Sequence, residues 1–357
     1  VASVAAALLI GALMLLILGA DPIAGFATMF KGAFGSADGL AATAVKSIPL
    51  MLVGVGICIA FRANVINIGG EGQMVLGGLF GTVMALSFPD FPAVIMLPMV
   101  MLAGMVGGGI WGAIPGALKA YYNVSEILST IMLNIVAVQL MAFLLRGPLI
   151  DPGEIERGTR IPQTARLPES SDLPMLVEGL NLHAGILIAV IAAVGAWVLL
   201  WRTGLGFRLR SVGLSPPAAR YAGIQVKRSI VIAMMLSGAM SGLAGAILVF
   251  GSESHRMVTD GSTMGFTGSA GFNGIVVALF GALHPLWTIP SSFLFGGMLV
   301  GANSLQRVAQ VPAALIIALN GLIVVFVVST EWYRNSLQNR PVAPKKTEAS
   351  SSSETES

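Results

Sequence analysis

The sequence PAVIMLPMVMLAGMVGGGIWGAIPGAL occupies residues 92–118 and contains no charged residue. A bilayer core of about 30 Å needs roughly 20 apolar residues per helix, so this stretch predicts a membrane-spanning helix. The whole chain has the same character, with 357 residues that are 55 % hydrophobic and 10 % charged. Soluble domains carry about 25 % charged residues. The composition therefore excludes a soluble enzyme, a nucleic-acid binder and a disordered scaffold, and the net charge of +3 gives no reason to expect a nucleic-acid partner.

Apolar runs of this kind recur along the chain and predict an all-α polytopic membrane protein with about ten transmembrane helices. We expect one transmembrane domain over 1–330 and a disordered cytoplasmic tail over 331–357, which ends in SSSSETES. The two shortest runs, 47–62 and 272–284, are rich in glycine, and we expect broken or tilted helices there. The predicted spans are 1–20, 47–62, 73–88, 92–120, 125–145, 184–201, 229–250, 272–284, 286–305 and 311–330.

The distribution of lysine and arginine predicts the orientation, because basic loops remain in the cytoplasm. The segment 202–228 holds six basic residues and no acid, so it is predicted to be cytoplasmic. The segment 146–183 is net acidic and is predicted to be an external loop. One span separates the two segments, so the assignments agree, and counting outward places both termini in the cytoplasm.

Two Gly-rich stretches indicate an internal repeat. NIGGEGQMVL at 67–76 and GSAGFNGIVVAL at 268–279 each lead into an apolar run, and GLFG at 78–81 recurs as ALFG at 278–281. Paired, Gly-interrupted segments are typical of transporter repeats, although chance similarity in Gly- and Leu-rich sequence is the alternative. With five spans per half, the second half would be inverted relative to the first.

Glu71 lies within FRANVINIGGEGQM, between two apolar spans and next to Gly69, Gly70 and Gly72. A carboxylate in the bilayer is costly and usually functional, so one hypothesis is a discontinuous helix in which Asn67, Glu71 and Gln73 line a translocation path. The alternative is a cytoplasmic turn in which Glu71 faces water.

A second polar stripe follows in SEILSTIMLN. Glu126, Thr130 and Asn134 are four residues apart and share one helix face. A polar stripe on an apolar helix faces protein or water rather than lipid. These side chains either line a translocation path or form hydrogen bonds between helices. The same two interpretations apply to Asn273.

Small residues at close spacing predict tight helix packing and give no information on substrate. Two such runs are Gly104, Gly107, Gly108, Gly109 and Gly112 in one span, and Ser237, Gly238, Ser241, Gly242 and Gly245 in another.

The basic segment contains TGLGFRLRSVGLSPPAARYAGIQVKRS at 203–229. Ser215 followed by Pro216 is a favourable helix start, and Gly223 can end the helix that passes through Ala219, Arg220 and Tyr221. This short basic helix is either an ordinary cytoplasmic loop or a docking element for a cytoplasmic partner.

Catalytic and metal-binding signatures are missing from the sequence. It contains no P-loop, no HExxH and no GxSxG motif. Cys58 is the single cysteine and the three histidines are far apart, so we expect neither a disulfide nor a metal site. The alternative to a partner-driven transporter is a stand-alone secondary transporter or channel, for which Glu71 and Glu126 are the candidate ion-coupling residues.

FRANVINIGGEGQMVLGG, SEILSTIMLNIVAVQLMAFLLRGPL, the segment from Gly206 to Ile224 and GFNGIVVALFGALHP resemble permease subunits of bacterial ABC importers. The resemblance covers about residues 45 to 325, and the nearest group is the nucleoside and simple-sugar permeases of the branched-chain amino acid/ribose superfamily. It implies the type II importer permease fold, with ten helices in two inverted halves. It also implies a subunit without enzyme activity in the bacterial cytoplasmic membrane, which moves nucleosides or simple sugars.

The resemblance further implies partners. Separate ABC ATPase subunits would hold ATP and Mg²⁺, so no cofactor is expected in this chain. Ser215, Pro216, Ala219, Arg220, Tyr221 and Gly223 would belong to a coupling helix that docks on the ATPase. A second permease subunit would complete a heterodimer, and the external loop 146–183 would meet an extracytoplasmic substrate-binding protein. The NIGxEGQ-type segment favours nucleosides over free sugars by analogy.

Overall fold

The computed structural model describes residues 9–10, 12–13, 15–17, 21–177, 179–262 and 265–309, and these residues form a helical bundle. Within this part of the chain the only β-structure is two isolated bridges, Gln163 with Val258 and Met175 with His183. The helices are α1 Pro22–Phe34, α2 Ala37–Arg62, α3 Gly70–Ser87, α4 Ala93–Tyr122, α5 Glu126–Arg146, α6 Pro152–Arg157, α7 Gly185–Arg202, α8 Gly204–Leu214, α9 Pro216–Tyr221, α10 Val226–Phe250, α11 Ala270–Phe280 and α12 Thr288–Ala309.

Eight of the ten predicted spans coincide with helices in the described residues. Among the described helices, five are long and apolar enough to cross a membrane, namely α2, α4, α5, α7 and α10. Helix α11 is apolar but has only 11 residues, as expected for the short run 272–284. The predicted span 311–330 and the tail 331–357 lie outside the described residues, as does most of the span 1–20.

Two helix starts differ from the prediction. Helix α2 begins at Ala37 rather than at residue 47, because the Ser36 hydroxyl accepts a hydrogen bond from Gly39 N–H and caps an earlier turn. It then continues through Pro49 to Arg62, so the expected break in 47–62 is wrong. Helix α1 was not predicted, and it begins where Asp21 caps the chain and Pro22 occupies the first helical position.

The small-residue runs make close helix crossings, as the sequence predicted. A Cβ on Gly242 of α10 would lie 2.2 Å from the Gly104 carbonyl oxygen of α4. A Cβ on Gly108 would lie 2.3 Å from the Gly238 carbonyl oxygen. On the neighbouring side of α10, a Cβ on Gly245 would lie 1.9 Å from the Met74 carbonyl oxygen of α3. Backbone contact of this kind leaves no room for a side chain, so α3, α4 and α10 form the tightly packed centre of the bundle.

The basic and acidic segments lie at opposite ends of α7 and α10. At one end, Arg62 donates to the Leu283 carbonyl oxygen over 3.1 Å, and its guanidinium lies 5.0 Å from the Trp201 ring centroid. At the other end, the segment 147–184 runs along the residues that follow α10. Leu173 N–H donates to the Phe250 carbonyl oxygen over 3.0 Å, and Arg256 pairs with Asp151 at 2.7 Å.

Candidate functional site

The starts of α3 and α11 meet inside the bundle, and we call residues 67–73 and 267–273 the junction. The chain leaves α2 at Arg62 and passes through non-helical residues before α3 begins at Gly70. A Cβ on Gly271 would lie 2.4 Å from the Glu71 backbone nitrogen, and one on Gly70 would lie 3.2 Å from the Gly271 Cα. The two Gly-rich stretches noted in the sequence therefore contact each other, and glycine permits that approach.

Glu71 is fully buried in the junction. Its carboxylate accepts a hydrogen bond from Phe272 N–H at 3.2 Å and another from the Thr267 hydroxyl. A carboxylate beside the first turn of a helix interacts favourably with the unpaired N–H groups there, so a side chain of α3 caps α11. The alternative in which Glu71 faces water in a turn is wrong.

Asn67 and Gln73 form a buried amide pair beside Glu71. Each amide donates to the other over 3.0 and 3.1 Å. Asn67 also donates to the Ser237 hydroxyl of α10 over 2.8 Å and accepts from Gly69 N–H at 2.9 Å. These hydrogen bonds fix the bend of the chain before α3 and connect that bend to α10.

The stripe on α5 divides between two locations. Asn134 accepts from Gly72 N–H at 2.8 Å and donates to the Ile68 carbonyl oxygen over 3.0 Å, so its side chain binds the first segment of the junction. Thr130 is buried and donates to the Glu126 carbonyl oxygen over 2.6 Å within its own helix. Glu126 pairs with Lys119 at 2.9 Å in the turn between α4 and α5. Asn134 therefore makes the interhelical hydrogen bonds that were one of the two alternatives, while Glu126 lies away from the junction's hydrogen bonds.

Asn273 is half-buried on the first turn of α11, and its side chain has no hydrogen bond within the described residues. Two further residues take part in the hydrogen bonds of this site and were not identified as functional candidates from the sequence. Ser237 belongs to a run whose spacing predicts helix packing, and Thr267 precedes the second Gly-rich stretch. Their roles depend on contacts between distant parts of the chain, which a local pattern does not contain. The position of Thr267 directly before the second Gly-rich stretch was the only local signal.

The predicted short helix of the basic segment is α9. The Ser215 hydroxyl accepts from Ala218 N–H at 3.4 Å, and Pro216 occupies the first helical position. Gly223 follows with a φ of +79°, a conformation that suits glycine and lets the chain turn toward α10. Ala219 is buried against Val212 and Val226.

Helix α9 presents its charged and aromatic side chains to the outside. Arg220 is exposed, and Tyr221 is 95 % exposed. An anchored apolar face and a protruding Arg–Tyr pair are suited to contact with another protein.

Comparisons with known proteins extend this description. Residues 39–329 match the family described as branched-chain amino acid transport system / permease component. The chain is 34 % identical to a glucose ABC transporter permease of Haloferax volcanii, over 94 % of this chain and 87 % of the relative. It is also 34 % identical to a guanosine ABC transporter permease of Bacillus subtilis, over 90 % of this chain and 89 % of the relative. A second guanosine ABC transporter permease of that bacterium is 27 % identical, over 71 % of this chain and 78 % of the relative. No solved structure matches the chain.

Proposed function

From the premise that this chain belongs to the permease family of branched-chain amino acid transport systems, we propose that it carries nucleosides across the cytoplasmic membrane. The chain is a multi-pass membrane permease subunit of an ABC importer, a transport component rather than an enzyme. One relative is named for guanosine and another for glucose, so nucleosides and simple sugars are the two candidate substrate classes.

The observation that carries the proposal is the junction, where polar side chains are gathered in an otherwise apolar bundle. Transporter substrate sites commonly lie where interrupted helices meet near the bilayer midplane. We place Asn67, Glu71, Gln73, Thr130, Asn134 and Asn273 on or next to the path. We place Glu126 at one mouth of the path, because it pairs with Lys119 across the turn between α4 and α5. Amide and carboxylate groups can hydrogen-bond the hydroxyl and ring nitrogen groups of a nucleoside.

The same proposal includes the ten-helix architecture with inverted halves. The close approach of Gly70 and Gly271, each in the first turn of its helix, supports this arrangement. The basic end of the bundle would face the cytoplasm, together with both termini.

The partner assignments rest on α9 and on the relatives. Arg220 and Tyr221 would dock on an ATPase subunit that holds ATP and Mg²⁺, so that its motion reaches the bundle through α9 and α10. The occurrence of two guanosine permeases in one bacterium supports a second, different permease as the partner. The external segment 146–183 would receive a substrate-binding protein.

The test is uptake into vesicles that contain this chain, the second permease and the ATPase, with the binding protein outside and ATP inside. We expect uptake of guanosine and uridine and little uptake of ribose or glucose. Uptake of glucose alone would contradict the nucleoside assignment. Uptake without the ATPase would contradict the ATP-driven mechanism.

A charge reversal tests the coupling role of α9. Arg220→Glu should abolish ATP-dependent uptake, whereas Arg202→Glu, in the same basic segment but before α8, should retain most of it. Equal uptake by the two variants would remove α9 from the coupling route.

A further inference from the structure

A groove with a basic rim lies between α8 and the start of α10, apart from the junction. Its volume is about 520 Å³. We call it the basic groove, and its lining includes Leu205, Arg208, Leu209, Ile224, Arg228 and Ile232.

The charge of this region is unbalanced. The sequence contains no aspartate or glutamate between residues 179 and 252. Arg208 and Arg228 are both exposed, and neither has a carboxylate within 4.0 Å in the described part of the chain. Two unneutralised guanidinium groups at one groove are suited to a phosphate, which arginine binds through two parallel hydrogen bonds.

The apolar part of the lining favours a lipid over a water-soluble anion. Leu205 and Ile232 line the groove together with the two arginines. The same helix α8 exposes Phe207 by 60 % and Leu214 by 89 %. A helix that presents large apolar side chains next to arginines is typical of the boundary between headgroups and acyl chains.

We propose that the basic groove binds one anionic phospholipid from the leaflet at the basic end of the bundle. The phosphodiester lies between Arg208 and Arg228, and the acyl chain follows Leu205 and Ile232. Basic pockets between membrane helices take lipid headgroups in this way. A bound lipid would tie α8 to α10 on either side of α9.

Native mass spectrometry of the full-length chain in detergent, titrated with phosphatidylglycerol and separately with phosphatidylcholine, tests the proposal. We expect the wild type to retain one phosphatidylglycerol and to bind phosphatidylcholine much more weakly. Arg208→Gln/Arg228→Gln should lower the phosphatidylglycerol affinity about 25-fold, since each basic residue near an anionic lipid contributes roughly fivefold. Arg202→Gln/Lys227→Gln removes two cations from the same segment outside the groove and should change the affinity by less than about threefold.

A variant that keeps both positive charges separates the loss of lipid binding from a folding defect. Arg208→Lys/Arg228→Lys should retain most of the preference for phosphatidylglycerol. Three results would overturn the proposal: equal phosphatidylglycerol affinity in the wild type and the double glutamine variant, displacement of the lipid by inorganic phosphate alone, or displacement by the ATPase in the assembled complex. The last result would make the basic groove a protein interface.

Discussion

The two Gly-rich segments of the junction each begin a helix, but they satisfy their polar groups differently. The first segment buries Asn67, Glu71 and Gln73 almost completely. The second contributes Phe272 N–H and the Thr267 hydroxyl to Glu71, and its only amide side chain, Asn273, is half-buried. The shared feature is therefore the close backbone approach that glycine allows, while the polar side chains are concentrated in one segment. Two segments can therefore share the space for a helix crossing without sharing the polar groups that lie there.

The largest effect should come from filling that space. Gly271→Ala places a Cβ 2.4 Å from the Glu71 nitrogen and 2.8 Å from the Gly70 carbonyl carbon, and neither backbone atom can move independently. We expect a loss of up to about 3 kcal/mol in the free energy of unfolding, as for other overpacked sites. Thermal unfolding of the purified protein in detergent measures it.

Two glycines provide the controls for this substitution. Gly70→Ala should lower the free energy of unfolding less, because the nearest atom to its added Cβ would be 3.2 Å away. Gly195→Ala on α7 should cost almost nothing, because no atom lies within 4 Å of its added Cβ. Equal stability of Gly271→Ala and Gly195→Ala would show that α3 and α11 do not meet at these residues.

The next effect concerns the acceptor that the first segment supplies to the second. Glu71→Ala leaves the Phe272 N–H without the oxygen that now lies 3.2 Å away. Loss of a buried acceptor should lower the free energy of unfolding by about 2 kcal/mol. Glu71→Gln retains one acceptor oxygen and avoids burying a charge, so its cost should be clearly smaller.

Unfolding curves and uptake of the two Glu71 variants should be measured together. A glutamine variant as unstable as the alanine variant would show that the charge matters more than the oxygen. A stable glutamine variant that no longer transports would assign Glu71 to the path rather than to the scaffold alone.

A pair of asparagines tests the asymmetry of the junction directly. Asn67→Ala removes the bonds to Gly69, Gln73 and Ser237, and we expect a loss of about 2 kcal/mol in the free energy of unfolding. Asn273→Ala removes no hydrogen bond within the described residues, so its stability should match the wild type. A transport defect in Asn273→Ala without loss of stability would place this side chain on the path. Equal destabilisation by both variants would contradict the asymmetry.

Local patterns in the sequence predicted the parts of the fold that depend on neighbouring residues. The Ser215–Pro216 start and the Gly223 end of α9 were predicted because capping and turn chemistry act over a few residues. Tight packing at Gly104 and Gly108 was predicted because small-residue spacing marks close helix approach. The two segments of the junction were recognised from their glycines.

The remaining features depend on distant contacts. The burial of Glu71 follows from its approach to α11, some 200 residues along the chain, so spacing alone left the water-facing turn as an alternative. Tertiary packing therefore decided the location of Glu71 against the local signal.

The smallest expected effect lies at the outer edge of the amide network, and it tests whether α10 takes part in the junction. Ser237 accepts a hydrogen bond from Asn67 over 2.8 Å, whereas Ser241, one turn further along α10, donates to the Ser237 carbonyl oxygen within its own helix. Both side chains are buried, so Ser237→Ala and Ser241→Ala remove the same atoms from similar surroundings. Interhelical hydrogen bonds in membrane proteins contribute about 0.6 kcal/mol on average, so Ser237→Ala should be less stable than Ser241→Ala by roughly that amount. In the Asn67→Ala background the difference should vanish, because the bond has already lost its donor. If the difference persists there, Ser237 stabilises α10 through packing, and the amide network ends at Asn67 and Gln73.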